Sequence, residues 1–257
     1  MNGRAQLVAL NAILRKEVLR FARIWVQTIL PPMIMTALYY VIFGHLIGSQ
    51  IGDVNGFHYM DYIAPGLILM AVITNSYANV VASFYSAKFQ CSIEEMLVSP
   101  MPNYLIVMGF VGGGVARGIV VGAAVAAVSL FFTAIPLYNG WVAISVLLLT
   151  SVLFSLGGLI NAIFANSFDD ITVIPNFVLT PLTYLGGVFY TVAMLQPFWQ
   201  TVSLANPVLY MVNAFRYGLL GVSDVNLGAA YMAITGFIVC LSWFAMHLLN
   251  RGYGVRT

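Results

Sequence analysis

Residues 141–164 read WVAISVLLLTSVLFSLGGLINAIF, an uncharged stretch that at ~1.5 Å of rise per residue is long enough to cross the ~30 Å hydrocarbon of a bilayer as one helix. Working outward, the same kind of run recurs at roughly 28–47, 61–85, 104–135, 171–190 and 227–249, with the few charges gathered at the ends. Of the 257 residues 61% are hydrophobic and only 7% charged, and the mean hydropathy is +0.94, which places the chain among integral membrane proteins. The expected fold class is an all-α membrane protein with six transmembrane helices. The connections are too short for a second soluble domain, so residues 1–257 are expected to form one membrane domain.

Charge placement sets the orientation. Arg4, Arg15, Lys16, Arg20 and Arg23 precede the first span, Lys88 lies in one loop, and Arg251 and Arg256 close the chain. Cytoplasmic flanks collect Lys and Arg, so both termini and the Lys88 loop are placed inside, which requires an even number of spans. The net charge of +2 is too small to point to nucleic acid. Cys91 in an inner loop and Cys240 inside the last span suggest no disulfide framework, and the first apolar run starts too late for a cleavable signal peptide.

Residues 1–25 are predicted to form an amphipathic interfacial helix. Leu7, Leu10, Leu14, Val18, Phe21 and Trp25 recur on one face, and Arg15, Lys16, Arg20 and Arg23 cover the rest. It serves either as a simple anchor or as a mechanical element. Pro31-Pro32 are placed at the start of the first span, where proline is tolerated. Gly48 to Tyr59 is expected to be a short outer loop. Residues 86–103 are expected to form an inner loop carrying a short helix over Ser92–Val98, with Ser92 and Glu95 spaced as a capping box. Gly112-Gly113-Gly114 is expected to break the third run, and Asn166 to Asp170 to form a second inner loop. Residues 195–221 are apolar but are cut by Pro197 and Pro207 and carry Arg216, so an outer re-entrant helical hairpin is predicted there.

Several chemistries are missing. Neither lysine, Lys16 or Lys88, follows a glycine, so there is no phosphate-binding P-loop, and there is no H-E-x-x-H metal motif. His45, His58 and His247 lie far apart at predicted membrane edges, as interfacial polar residues do. Glu17, Asp53, Asp61, Glu94, Glu95, Asp169, Asp170 and Asp224 all read as lying in or beside loops. A proton-coupled carrier needs a carboxylate at mid-membrane, and an integral membrane enzyme acting on lipids needs a catalytic cluster at one face; neither is visible, and both classes stay as alternatives.

Polar residues inside the spans form stripes. Thr36, Tyr39 and Tyr40 lie on the first run; Asn75, Asn79 and Ser83 repeat every fourth residue on the second; Asn176, Thr180, Thr183 and Tyr184 share a face of the fifth. They either hydrogen-bond helices together or line a substrate path. Arg117 is either functional within its span or close to the inner headgroups if that span starts late. On the inner loop, Ile93, Met96 and Leu97 make an apolar face that fits a partner groove or rests on the protein's own spans.

The pattern Leu179-x-x-Leu182-x-x-Leu185-Gly186-x-Val188, followed by Leu195-Gln196, Pro207-x-x-Tyr210 and Arg216, resembles the signature of the ABC-2 type permeases of bacterial exporters. The run Ile93-Glu94-Glu95-Met96-Leu97-Val98-Ser99-Pro100-Met101-Pro102 is similar to their cytoplasmic coupling segment. The resemblance spans nearly the whole chain. It implies a permease subunit in the bacterial inner membrane, surrounded by lipid, pairing with a second copy of itself and with two copies of a cytoplasmic ATP-binding subunit that holds ATP and magnesium, so that this chain binds no cofactor. Ile93, Glu94, Glu95, Met96 and Leu97 then receive the ATPase motion. Thr36, Tyr39, Asn75, Asn79, Ser83, Asn176, Thr180 and Thr183 line the path of an amphiphilic, glycan, lipid or drug-like substrate. Pro197, Pro207 and Arg216 form an outer gate.

Overall fold

The computed structural model describes residues 2–48 and 52–254; Arg256 and the side chain of His45 lie outside the described residues. The chain is almost wholly helical. Helix α1 (Gly3–Arg23) is followed after Ile24 by α2 (Trp25–Tyr39), which runs on as a π-helical stretch (Tyr40–Ile47). Strands β1 (Asp53–Val54) and β2 (Phe57–His58) pair antiparallel around Asn55-Gly56, both at positive φ, the turn chemistry of a tight hairpin. Then come α3 (Tyr59–Phe89), α4 (Ser92–Val98), α5 (Asn103–Ser129) and α6 (Gly140–Phe164). After them follow α7 (Asp170–Ile174), a π-helical turn (Pro175–Leu179) and α8 (Thr180–Tyr184). A 3₁₀ turn (Val192–Met194) leads to α9 (Pro197–Leu204), α10 (Pro207–Leu220) and α11 (Leu227–Arg251).

Among the described residues five helices are long and apolar enough to cross a membrane: Trp25–Gly44, Tyr59–Phe89, Asn103–Ser129, Gly140–Phe164 and Leu227–Arg251. The run read at 171–190 is helical only from Asp170 to Tyr184, in three short pieces. Pro175 and Pro181 each remove an amide donor, the ladder widens to π around them, and Gly187 at φ +70 closes the turn that follows. The core is built on α3, whose most apolar window is 78% buried between α5, α6 and α10, whereas the windows of α2 and α11 are 17% and 22% buried. Those two helices therefore leave long apolar flanks for surroundings other than this chain.

Other expectations are corrected. Gly112-Gly113-Gly114 does not break α5, which is continuous from Asn103 to Ser129. The glycines serve packing: a Cβ on Gly113 would sit 2.5 Å from Cβ of Glu17, and one on Gly114 2.3 Å from Oγ of Ser155. Close backbone approach of this kind is what small residues supply between membrane helices. Pro31 and Pro32 stand inside α2, not at its start, because the chain bends at Ile24 and the helix already begins at Trp25. Ser92 and Glu95 form no capping box; Cys91 turns left-handed at φ 57 ahead of α4, and the Ser92 hydroxyl donates back to the Ala87 carbonyl. A capping box does stand at Ser167–Asp170, where the Ser167 hydroxyl accepts from the Asp170 amide and the Asp170 carboxylate accepts from the Ser167 amide.

Candidate functional site

A cleft of about 380 Å³ opens between α2, α3 and α5. Its α2 wall consists of Gln27, Thr28, Pro31, Pro32, Met35, Thr36 and Tyr39, its α3 wall of Leu67, Met70, Ala71, Thr74 and Asn75, and α5 contributes Arg117. The prolines explain part of its polarity. Pro31 and Pro32 have no N–H to return to the carbonyls of Gln27 and Thr28 one turn earlier, so the helix carries weakened bonds along the cleft.

Arg117 lies 14 residues into α5, ~21 Å along the helix from its cytoplasm-assigned start at Asn103. That puts it near the middle of the helix, and at the centre of a spanning helix an arginine costs roughly 2.5–3.5 kcal/mol on insertion scales unless it is paired. Its Nη2 donates to Oδ1 of Asn75 at 3.1 Å, while its Nε is buried without a partner. The Asn75 amide in turn donates to the Ala71 carbonyl, and Tyr39 meets Tyr184 hydroxyl to hydroxyl at 2.9 Å across to α8.

The structure splits the predicted path. Thr36, Tyr39 and Asn75 line the cleft. Asn79 and Ser83, one and two turns further along α3, are buried and bind α1 instead. Arg20 donates to Oδ1 of Asn79 at 2.7 Å and to its carbonyl at 3.0 Å; Ser83 donates to Oε1 of Glu17 at 2.7 Å; Arg20 pairs with Oε2 of Glu17 at 3.2 Å. Asn176, Thr180 and Thr183 are not among the cleft's lining residues: Asn176 and Thr180 are exposed on their short helices, and Thr180 and Thr183 donate to nearby carbonyls.

Glu17 corrects the reading that every acid sits in or beside a loop, since it is fully buried against α3 and α5. The signal was present: Ile13, Glu17 and Phe21 repeat every fourth residue and are the buried positions of α1, and Arg20 stands three residues after Glu17. The face predicted to be apolar is only partly right. Phe21 is buried and Leu10 and Leu14 are partly so, while Leu7, Val18 and Trp25 are exposed.

At the predicted coupling segment, Ile93 is fully buried and Met96 and Leu97 pack onto the core, so this apolar face rests on the protein's own helices. The segment's outward surface is Glu95 and Val98, beside Phe89, which packs edge-on against Phe168. Lys88 is tied back as well, donating to the carbonyls of Ile163 and Ala165 at the end of α6.

In residues 195–221, Pro197 and Pro207 are each the first residue of a helix, with Asn206 capping the second through Val208. Arg216 on α10 is fully buried. Its guanidinium lies 4.0 Å over the Tyr62 ring and donates to Gly187 O, Asn213 Oδ1 and Tyr62 O. It ties α10 to α3 and to the turn after α8.

The family model of the ABC-2 type transporter matches residues 8–220. The chain is 55% identical to the inner membrane transport permease YadH of Escherichia coli (strain K12), covering 97% of this chain and 98% of that protein. It is 24% identical to nodulation protein J of Neorhizobium galegae and 23% identical to that of Rhizobium meliloti (strain 1021), covering 93% of this chain and 92% of the relative in each case.

Proposed function

Because this chain belongs to the ABC-2 type transporter family, we propose that it is the membrane-spanning subunit of an ATP-driven exporter in a bacterial inner membrane, the place that the name of its 55%-identical relative gives for that protein. Residues 1–257 act as one domain with both termini in the cytoplasm, α1 lying at the interface with its basic face to the headgroups. The sixth crossing is made by Asp170–Tyr184 with the turn after it, and α9 and α10 form a re-entrant hairpin at the outer end that works as a gate. The chain assembles with a second copy of itself and with two copies of an ATP-binding subunit that carries ATP and magnesium. Glu95 and Val98 on the outward side of α4 meet that subunit.

The observation that carries this reading is the mid-helix cleft at Thr36, Tyr39, Asn75 and Arg117 in a chain without a nucleotide-binding motif. A cargo site with no energy source of its own needs a partner that supplies one. Among the described residues Glu17 is the one buried carboxylate, which would favour a proton-coupled carrier, but it is committed to Arg20 and Ser83 and is not among the residues that line the cleft. The test is co-expression with a candidate ATP-binding subunit from the same bacterium. Co-purification of two permeases with two ATPases, with ATP turnover lost when the ATPase's own P-loop lysine is replaced, is expected. A permease that purifies without the ATPase and transports on a proton gradient alone refutes the reading.

A further inference from the structure

Two arginines stand within this helical bundle, Arg216 fully buried and Arg117 partly, and they differ in what holds them. Arg216 spends its guanidinium on Gly187 O, Asn213 Oδ1, Tyr62 O and the Tyr62 ring, so it is a structural tie. Arg117 has one bond, to Asn75, and a buried Nε with none. The ion pairs among the described residues are Arg20–Glu17 and His58–Asp53, and neither involves Arg117. A guanidinium offers five N–H donors in a planar fork matched to carboxylate or phosphate oxygens. An unneutralised cation at this depth persists at a cost unless something outside the chain supplies the counter-charge.

The rest of the cleft says what kind of molecule brings that charge. Thr74, Thr36 and Tyr39 are hydroxyl-bearing residues of the same lining, while Pro31, Met35, Leu67 and Met70 give an apolar wall. Met35 and, beside the cleft on α2, Ile34 and Leu38 are about half exposed, so the wall continues onto an open apolar flank. About 380 Å³ is at the small end of ligand pockets, enough for a headgroup and the first part of a chain but not for a whole lipid. A free anion would leave the apolar wall unused, and a cationic amphiphile would meet Arg117 with like charge.

We propose that the cleft between α2, α3 and α5 binds the anionic headgroup of an amphiphile through Arg117, with its hydrocarbon laid along the exposed flank of α2. The assignment rests on the transport reading only for the amphiphile's role as cargo; the binding itself needs neither nucleotide nor partner.

The test uses the purified full-length chain in phosphatidylcholine nanodiscs, titrated with phosphatidylglycerol, with additional phosphatidylcholine, or with inorganic phosphate, and read by native mass spectrometry of retained ligand. Wild type is expected to retain phosphatidylglycerol selectively. Arg117→Gln should weaken that retention about tenfold or more, the worth of one charge-assisted hydrogen bond, and Arg117→Lys should keep most of it. Since Arg117→Gln can disturb folding, Asn75→Asp gives a second route: it sets a carboxylate against the guanidinium and should abolish selectivity with the cleft still filled. Wild-type retention in both Arg117→Gln and Asn75→Asp overturns the proposal. Retention of inorganic phosphate as strong as that of phosphatidylglycerol overturns the amphiphile in favour of a free anion. Either failure leaves ATP-driven transport standing, because that is read from subunit co-purification and ATP turnover.

Discussion

Replacing Glu17 by alanine should unfasten α1 from the bundle. The carboxylate accepts from Ser83 at 2.7 Å and pairs with Arg20 at 3.2 Å, and its side chain is fully buried with Cβ pressed against Gly113. Removing it leaves the Ser83 hydroxyl without its acceptor, a loss of ~1 kcal/mol for a neutral hydrogen bond. It also strips Arg20 of its counter-charge. A charge-assisted bond is worth ~1.5–3 kcal/mol when buried, but the Arg20 side chain is 31% exposed and keeps its two bonds to Asn79, so solvent screening argues for the lower end. The total is ~2–3 kcal/mol. For a chain of this size ~1 kcal/mol moves Tm by roughly 2–4 °C, so the expected loss is about 4–12 °C in a detergent-solubilised melt.

The double-mutant cycle with Arg20→Gln separates the pair from simple loss of packing. If the clamp is real, Glu17→Ala and Arg20→Gln each destabilise, and together they cost less than the sum. A melt of Glu17→Ala within about 1 °C of wild type, or strictly additive effects, refutes the clamp and returns α1 to the status of a loosely laid anchor.

Gly158→Ala should destabilise by ~1–3 kcal/mol in the same melt, because its Cβ would meet the Tyr77 carbonyl at 2.6 Å, a backbone atom that cannot rotate away. Val98→Asp, at a side chain 86% exposed, should leave the melt unchanged and uncouple ATP hydrolysis from transport, whereas Met96→Asp should lower Tm first, since Met96 packs onto the core; the reverse order would exclude Val98 as the contact. Single cysteines at Gln200 and Ser223 should both react with an impermeant thiol reagent applied outside intact cells if α9 and α10 enter and leave on one side; labelling of one from outside and the other from the cytoplasm would make the segment a span.

The spans were legible where apolar length alone decides, as at 141–164 and 61–85, because a bilayer leaves the backbone few options. Length failed at 171–190, where two prolines and Gly187 break up a run whose hydropathy looks continuous. The glycine triplet of α5 was misread because propensity argues for a break while packing argues for close approach, and inside a bundle packing wins. The short helix over Ser92–Val98 was located correctly, but its apolar face turns inward, since a seven-residue helix is held by what it rests on. Glu17 was missed because its neighbours Arg15, Lys16 and Arg20 made the helix look solvated on that side. Arg117 was visible as an anomaly, but only the start of α5 at Asn103 placed it at mid-helix.

The stripe Asn75, Asn79, Ser83 does two jobs on one face of α3, and the division falls between adjacent turns. Ser83 and Asn79 hold α1; Asn75, one turn on, holds the guanidinium that faces the cleft. Arg20 bonds the main-chain carbonyl of Asn79 as well as its side chain, so α1 grips the backbone of α3 itself. Gly109 and Gly113 meanwhile let Ile13 and Glu17 press onto the same α5 that carries Arg117. A displacement of α1 must therefore either break two charged hydrogen bonds to Asn79 or carry that turn of α3 with it, and the next residue along the face is the only hydrogen-bond partner that positions Arg117 among the described residues. Helix interiors this closely packed deform in discrete steps rather than continuously. The route from α1 to the cleft is thus one turn of α3 long.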